Sequence, residues 1–240
     1  MPRAFLKARE PFSSYSHFIG AVLSGAGLFV LLVRLLFDSS VTGSLAAAAV
    51  VFCLSLIALY SASSVYHFSG RGEAVLRRLK KLDHSMIYVL IAGSYTPIIL
   101  KFMPAPRSYI FLGVIWLIAL TGIAIKLLWI DAPRLIGTAL YLALGWAIAF
   151  DFGVVLSMPA PAIALLAAGG LAYTVGGVIL LRKGIGFGGN TFMIFATVFG
   201  GVGGLTHVSM TIADAKGVAF CYQLCGIAFM AAGVFLLAMV

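Results

Sequence analysis

Long apolar blocks separated by short polar breaks run through the whole chain. A membrane span needs about 20 mostly apolar residues to cross ~30 Å of hydrocarbon. Blocks of that kind occupy residues 16–37, 43–67, 83–100, 108–128, 135–157, 161–181, 190–211 and 219–240. The pattern predicts eight spans and, because the connections are short, one all-α polytopic bundle with no soluble domain. The first block is read as a span rather than a cleavable signal, since polar and basic residues precede it and no small-residue cleavage site follows.

Composition supports the pattern. With 62% hydrophobic and only 10% charged residues and a mean hydropathy of +1.13, the chain departs from soluble domains, where roughly 25% charged is typical. Cys53, Cys221 and Cys225 all lie in apolar blocks and offer neither a disulfide framework nor a cysteine-rich metal knuckle. The basic residues divide unevenly between the two sets of breaks. Arg3, Lys7, Arg9, Arg71, Arg77, Arg78, Lys80, Lys81, Lys126, Arg134, Arg182 and Lys183 fall on one side, and Arg34, Lys101, Arg107 and Lys216 on the other. Excess Lys and Arg marks cytoplasmic loops, so the N-terminus is expected in the cytoplasm. The net charge of +9 then reflects topology and anionic headgroups rather than nucleic acid.

In this topology His17 in span 1, His67 at the end of span 2, and Asp83 and His84 at the start of span 3 share one depth, near the cytoplasmic side. Ionisable residues within spans are costly and usually face the bundle interior or a wet cavity, which makes their convergence a functional hypothesis. "ALYSASSVYHFSG" (58–70) places Ser63 and Ser64 one helical turn before His67, with Tyr60 a further turn away. A hydroxyl at that spacing suits the second ring nitrogen of His67. His84, Tyr88 and Tyr95 recur at helical spacing in a second polar stripe that begins with Asp83, and the two stripes, joined by a short basic loop, are expected to face each other. Imidazoles with a carboxylate at a partly wet site are a donor set that zinc accepts. Plainer readings stand beside this one: interfacial histidines bonded to headgroups, Asp83 as a helix N-cap, and serines that let helices pack closely. Asp151, near the other side, is expected to reach water or a neighbouring hydroxyl. "GGVGG" (200–204) reads as close helix packing rather than a phosphate loop.

Four stretches together resemble the bacterial hemolysin III family, the prokaryotic branch of the progestin and adipoQ receptors. They are "EPFSSYSHFIG" with Glu10 seven residues before His17, the SxxxH of "SSVYH" (Ser63 to His67), "LKKLDHSMIYVLIAGSYTPI" around Asp83, and "ALYLALGWAI". The resemblance runs from about residue 8 to 182 and, weakly, to 211. It implies a seven-helix core over 16–211, preceded by a cytoplasmic segment 1–15 and followed by an extra C-terminal span in 212–240. It also implies a zinc ion near the cytoplasmic face, with His67 as a ligand, Asp83 holding the metal-bound water and Ser63 orienting the site. Glu10 and His17 match the family's first motif, although Ser13 stands where its usual Asn would be.

The chain departs from the family in span 7. Aligning His207 with the family's last histidine puts Met193 and Thr197 at the two remaining ligand positions. Met is a soft donor better suited to Cu(I), and Thr is a poor one. Three explanations compete. The scaffold has shed its metal; or His17, His84, Asp83 or Glu10 supply substitute ligands; or the reading frame is displaced. In the last case a string encoding Phe-His-Asp-Ile-Cys-His-Gly-Val, moved by one nucleotide, reads as residues 192–199, and His codons in the neighbouring frame of the gene decide the matter. Functionally the resemblance points to a multi-pass protein of the bacterial inner membrane, with lipids as partners, acting in lipid homeostasis or signalling. The alternatives are a zinc-dependent hydrolase of amide or ester lipids, with Asp83 as general base, and the cytolysis that the family name implies.

Overall fold

The computed structural model describes residues 2, 4–37, 41–158, 160, 163, 164 and 167. Expectations for spans 6 to 8, for Met193, Thr197 and His207, for "GGVGG" and for a displaced frame lie outside these residues. Among the described residues all regular structure is helical: α1 (Pro11–Phe37), α2 (Gly43–Phe68), α3 (Glu73–Phe102), α4 (Arg107–Leu128), α5 (Arg134–Gly145) and the short α6 (Phe152–Leu156), with 3-10 turns at Phe5–Lys7 and Ala147–Phe150. Helices meet the demand that lipid imposes, since every backbone polar group finds a partner within its own segment. α1 to α4 are each long and apolar enough to cross a membrane. Their outer faces carry large exposed apolar side chains such as Phe29, Leu36 and Leu128, as a lipid-facing surface requires.

α1, α2, α3 and α4 pack in sequence order, each against the next, and α3 also meets α5. α3 is the centre: Tyr88, Leu90, Pro97 and Ile99 are among the most completely buried side chains. Glycine permits the close approach at two crossings. A Cβ on Gly93 would collide with Ser55 of α2, and one on Gly122 of α4 with the ring of Tyr88. Trp116 of α4 donates its indole N–H to Thr96 of α3 at 3.2 Å.

Two boundaries differ from expectation. α3 begins at Glu73, so the basic stretch Arg77–Lys81 forms its first turns instead of a loop, and Asp83 lies inside the helix rather than at its N-cap. Charged residues stay helical here because they need not enter hydrocarbon. Thirty residues at 1.5 Å each reach about 45 Å, well beyond a ~30 Å core. Span 5, expected to be continuous over 135–157, is instead broken after Gly145 into a 3-10 turn and α6. The hydroxyl of Tyr95 stabilises the break, donating toward the carbonyls of Leu144 (2.8 Å) and Gly145 (3.1 Å) and accepting from the N–H of Ile148 (3.1 Å). Asp151 finds a cation rather than a hydroxyl: it pairs with Arg107 and caps α6 by accepting from Val154 N–H at 3.1 Å.

Candidate functional site

α1 buries only two side chains, Ser14 and His17, and both are polar. On a helix surrounded by lipid this places the hydrogen-bonding face inward and the apolar face outward. Ser14 and Ser64 of α2 exchange bonds across the contact: each hydroxyl donates to the other's carbonyl, at 3.0 and 2.9 Å. The ring of His17 stacks on that of His67, with centroids 5.5 Å apart and planes 12° from parallel. Tyr60 lies 6.1 Å from His17 on the next turn of α2.

The segment before α1 fixes the register. Arg9 and Glu10 donate their backbone N–H groups to the carbonyls of Phe68 (3.4 Å) and His67 (3.0 Å), which closes the end of α2, where the last carbonyls of a helix lack internal partners. Pro11 then opens α1 at the position where a missing N–H does no harm. Glu10 is thereby held beside His67, and its carboxylate accepts from Nδ1–H at 2.8 Å. The other carboxylate oxygen pairs with Arg9 at 2.9 Å, and that guanidinium lies 4.5 Å over the ring of Tyr66. Phe5 packs against Tyr15, Phe18 and Phe68 and anchors the segment.

The group that orients His67 is therefore Glu10, from another segment. Ser63 is buried on α2, but the Nδ1 bond expected of a serine is made by the acid. His17 and His84 are tied through the same atom: His17 Nδ1 donates to the carbonyl of Ser13 at 2.5 Å and His84 Nδ1 to that of Lys80 at 3.0 Å. All three imidazoles therefore carry a proton on Nδ1, and such a ring, when neutral, presents Nε2 as a lone pair.

Asp83 is buried. It lies within electrostatic reach of His17, and its oxygen is 3.5 Å from the ring of His84. His17, His67, Glu10 and Asp83 thus gather at one end of α1 to α3. His84 belongs to the other flank of α3, where Tyr141 of α5 donates its hydroxyl to the His84 carbonyl at 3.2 Å. Tyr88 stacks near Tyr141 with ring centroids 4.5 Å apart. The expectation that the two polar stripes face each other is therefore corrected for His84, Tyr88 and Tyr95, while Asp83 lies toward His17. Ser64 and His67 of α2 face α1, and Tyr88 and Tyr95 of α3 face α4 and α5, with the ring of Tyr88 in the space opened by Gly122.

The donors among the described residues fall short of a zinc site by themselves. Among the described residues no three His, Cys, Asp or Glu side chains converge to hold a metal ion. His67 has the features of a ligand, with Nδ1 on a carboxylate, and His17 stacks beside it, but among the described residues no third donor converges with them to hold a metal ion. The two positions that the resemblance would add are Met and Thr.

Residues 5–183 match the family model described as Haemolysin-III related. Hemolysin-3 of Bacillus cereus is 31% identical over 198 residues, covering 78% of this chain and 89% of that protein. The Hemolysin-3 homolog of Bacillus subtilis (strain 168) is 32% identical over 160 residues, covering 62% of this chain and 75% of its own length.

Proposed function

Since the chain belongs to the haemolysin-III related family of membrane proteins, we propose that it acts in membrane lipid homeostasis or signalling, receiving a lipid-like ligand at the polar cluster of Glu10, His17, His67 and Asp83. One observation carries this reading: the only side chains that α1 buries are Ser14 and His17. Ser14 is small enough to serve close helix packing, but a buried imidazole is costly within a span, so His17 is the residue that packing alone does not account for. In the proposed orientation, the cluster and the basic end lie on the cytoplasmic side of the bacterial inner membrane, following the excess of Lys and Arg. A ligand with an apolar tail and a hydrogen-bonding head would enter from the leaflet and present that head to the histidines, shifting the packing of α1 against α2 by binding one arrangement better than another.

The test is lipid analysis of the full-length protein purified in mild detergent. One lipid class enriched over the bulk membrane, and lost in His17→Ala and His67→Ala while the fold persists, is the expected result. Lipid identical to the bulk in wild type and variants would overturn the reading.

A second reading, hydrolysis of an amide or ester lipid, is favoured by the Glu10–His67 bond at 2.8 Å, because a ring held in this tautomer is set to accept a proton at Nε2. Fatty-acid release by wild type and not by His67→Ala would support it. The relatives' name makes cytolysis a third outcome to measure, as lysis of erythrocytes by the purified protein.

A further inference from the structure

The flank of α3 turned away from the histidine pair carries a second polar group that the function proposed above does not use. Lys126 lies in the last turn of α4 and is only 6% exposed. Its ammonium rests over the backbone of α5, where a Cβ on Gly137 would lie 2.8 Å from Nζ. Glycine at 137 thus gives the ammonium its place. Among the described residues Lys126 makes no ion pair with Asp or Glu, and the hydrogen bonds that side chains donate between α3, α4 and α5 come from Lys81, Tyr95, Trp116 and Tyr141. Its electrostatic neighbours are Lys80 and His84.

Several other charges at this end have partners. Arg77 pairs with Asp131 at 2.6 Å, Lys81 donates to the carbonyl of Leu127, and Asp83 faces the ring of His84 at 3.5 Å. Lys126 is almost wholly buried, Lys80 adds a second positive charge that bears on it, and among the described residues no carboxylate pairs with either ammonium. Buried charge is stable only when paired. The depth fits a headgroup: α4 ends at Leu128, which is exposed, and the adjoining Trp129 is more than half exposed, as is usual for Trp at a membrane interface. Basic sites between helices at this level bind anionic headgroups, and Lys serves phosphate as a compact point charge.

We infer that Lys126, with Lys80, forms a binding site for a phosphate anion between α3, α4 and the start of α5, of the kind an anionic phospholipid headgroup presents. The ammonium of Lys126 would contact the phosphate oxygens directly, and Lys80 would approach from the aqueous side.

Native mass spectrometry of the full-length protein released from nanodiscs of mixed phosphatidylglycerol and phosphatidylcholine tests this. Wild type should retain phosphatidylglycerol in preference to phosphatidylcholine. Lys126→Met should lower that retention about tenfold and Lys80→Gln about fivefold, in line with the attraction of basic side chains to anionic lipid. Lys101→Gln, at the opposite end of α3, should change nothing. A second arm uses phosphatidylcholine nanodiscs with inorganic phosphate. A phosphate adduct there that disappears in Lys126→Met assigns the site to the free ion; its absence, with phosphatidylglycerol retained in the first arm, assigns it to the lipid. Equal retention of both lipids by wild type, with no phosphate adduct, would overturn the inference, as would undiminished retention in a folded Lys126→Met. Should Lys126→Met fail to fold, the half-buried Lys80 decides: retention by Lys80→Gln equal to that of Lys101→Gln would also overturn it.

Discussion

His67 owes its orientation to an acid 57 positions away in the chain. Glu10→Ala would leave a buried ring nitrogen without an acceptor, a loss worth about 1–3 kcal/mol. Glu10→Gln retains an oxygen for the bond and should cost under about 1 kcal/mol, the difference between a charged and a neutral acceptor. Thermal unfolding in detergent measures both, and nitrogen NMR of the imidazoles should show His67 leaving its Nδ1–H tautomer in Glu10→Ala and keeping it in Glu10→Gln. The serine pair is weaker. Ser14→Ala removes one of the two bonds that it shares with Ser64, and hydrogen bonds between membrane helices average about 0.6 kcal/mol. A loss of that size is expected, and one several times larger would mean that Ser14 also contacts something else. Seven-residue spacing made Glu10 and His17 visible as a pair in the sequence, but spacing within one helix says nothing about which ring of another helix an acid will meet.

Among the elements, α3 and the broken span 5 depend on each other. Tyr95→Phe keeps the ring and removes one hydroxyl that serves three backbone groups. It should cost about 1–3 kcal/mol and speed amide hydrogen exchange at Ile148 ahead of the rest of the bundle. Unchanged exchange there would show that the break stands without Tyr95. At the α2–α3 crossing, Gly93→Leu would drive a side chain into Ser55. Overpacking of a filled contact typically costs about 1–3 kcal/mol, read as a lower unfolding temperature with helical content retained. Element existence was legible in the sequence for α1, α2 and α4, whose apolar blocks match helices closely. The start of α3 was not, because hydropathy registers where a helix enters lipid and is silent on how far it projects from it. The break in span 5 was hidden for a related reason: "GWAIAF" (145–150) is as apolar as the helix before it, and the tyrosine that accommodates the break belongs to another element.

For the whole molecule, alternation of four long helices puts Pro11, Phe68, Glu73 and Leu128 at one end and Phe37, Gly43, Phe102 and Arg107 at the other. With the basic end in the cytoplasm, alkaline phosphatase fused after residue 104 should be active and after residue 70 inactive, with green fluorescent protein giving the reverse. The opposite pattern would invert the proposed orientation. What the chain determined by itself is its solvent and its class: a composition this apolar, in blocks this long, has no stable form outside a bilayer, and within a bilayer the backbone must become helical. Sequence motifs also brought His17, His67 and Asp83 to one depth, since helix length alone sets how deep each lies. Which face of each helix meets which neighbour was settled only by packing. Apolar surface drives no helix pairing in lipid, so small residues, aromatic bulk and a few polar contacts choose the partners. Those local fits turned the α2 stripe toward α1, moved His84 away from the histidine pair and left Lys126 buried over Gly137.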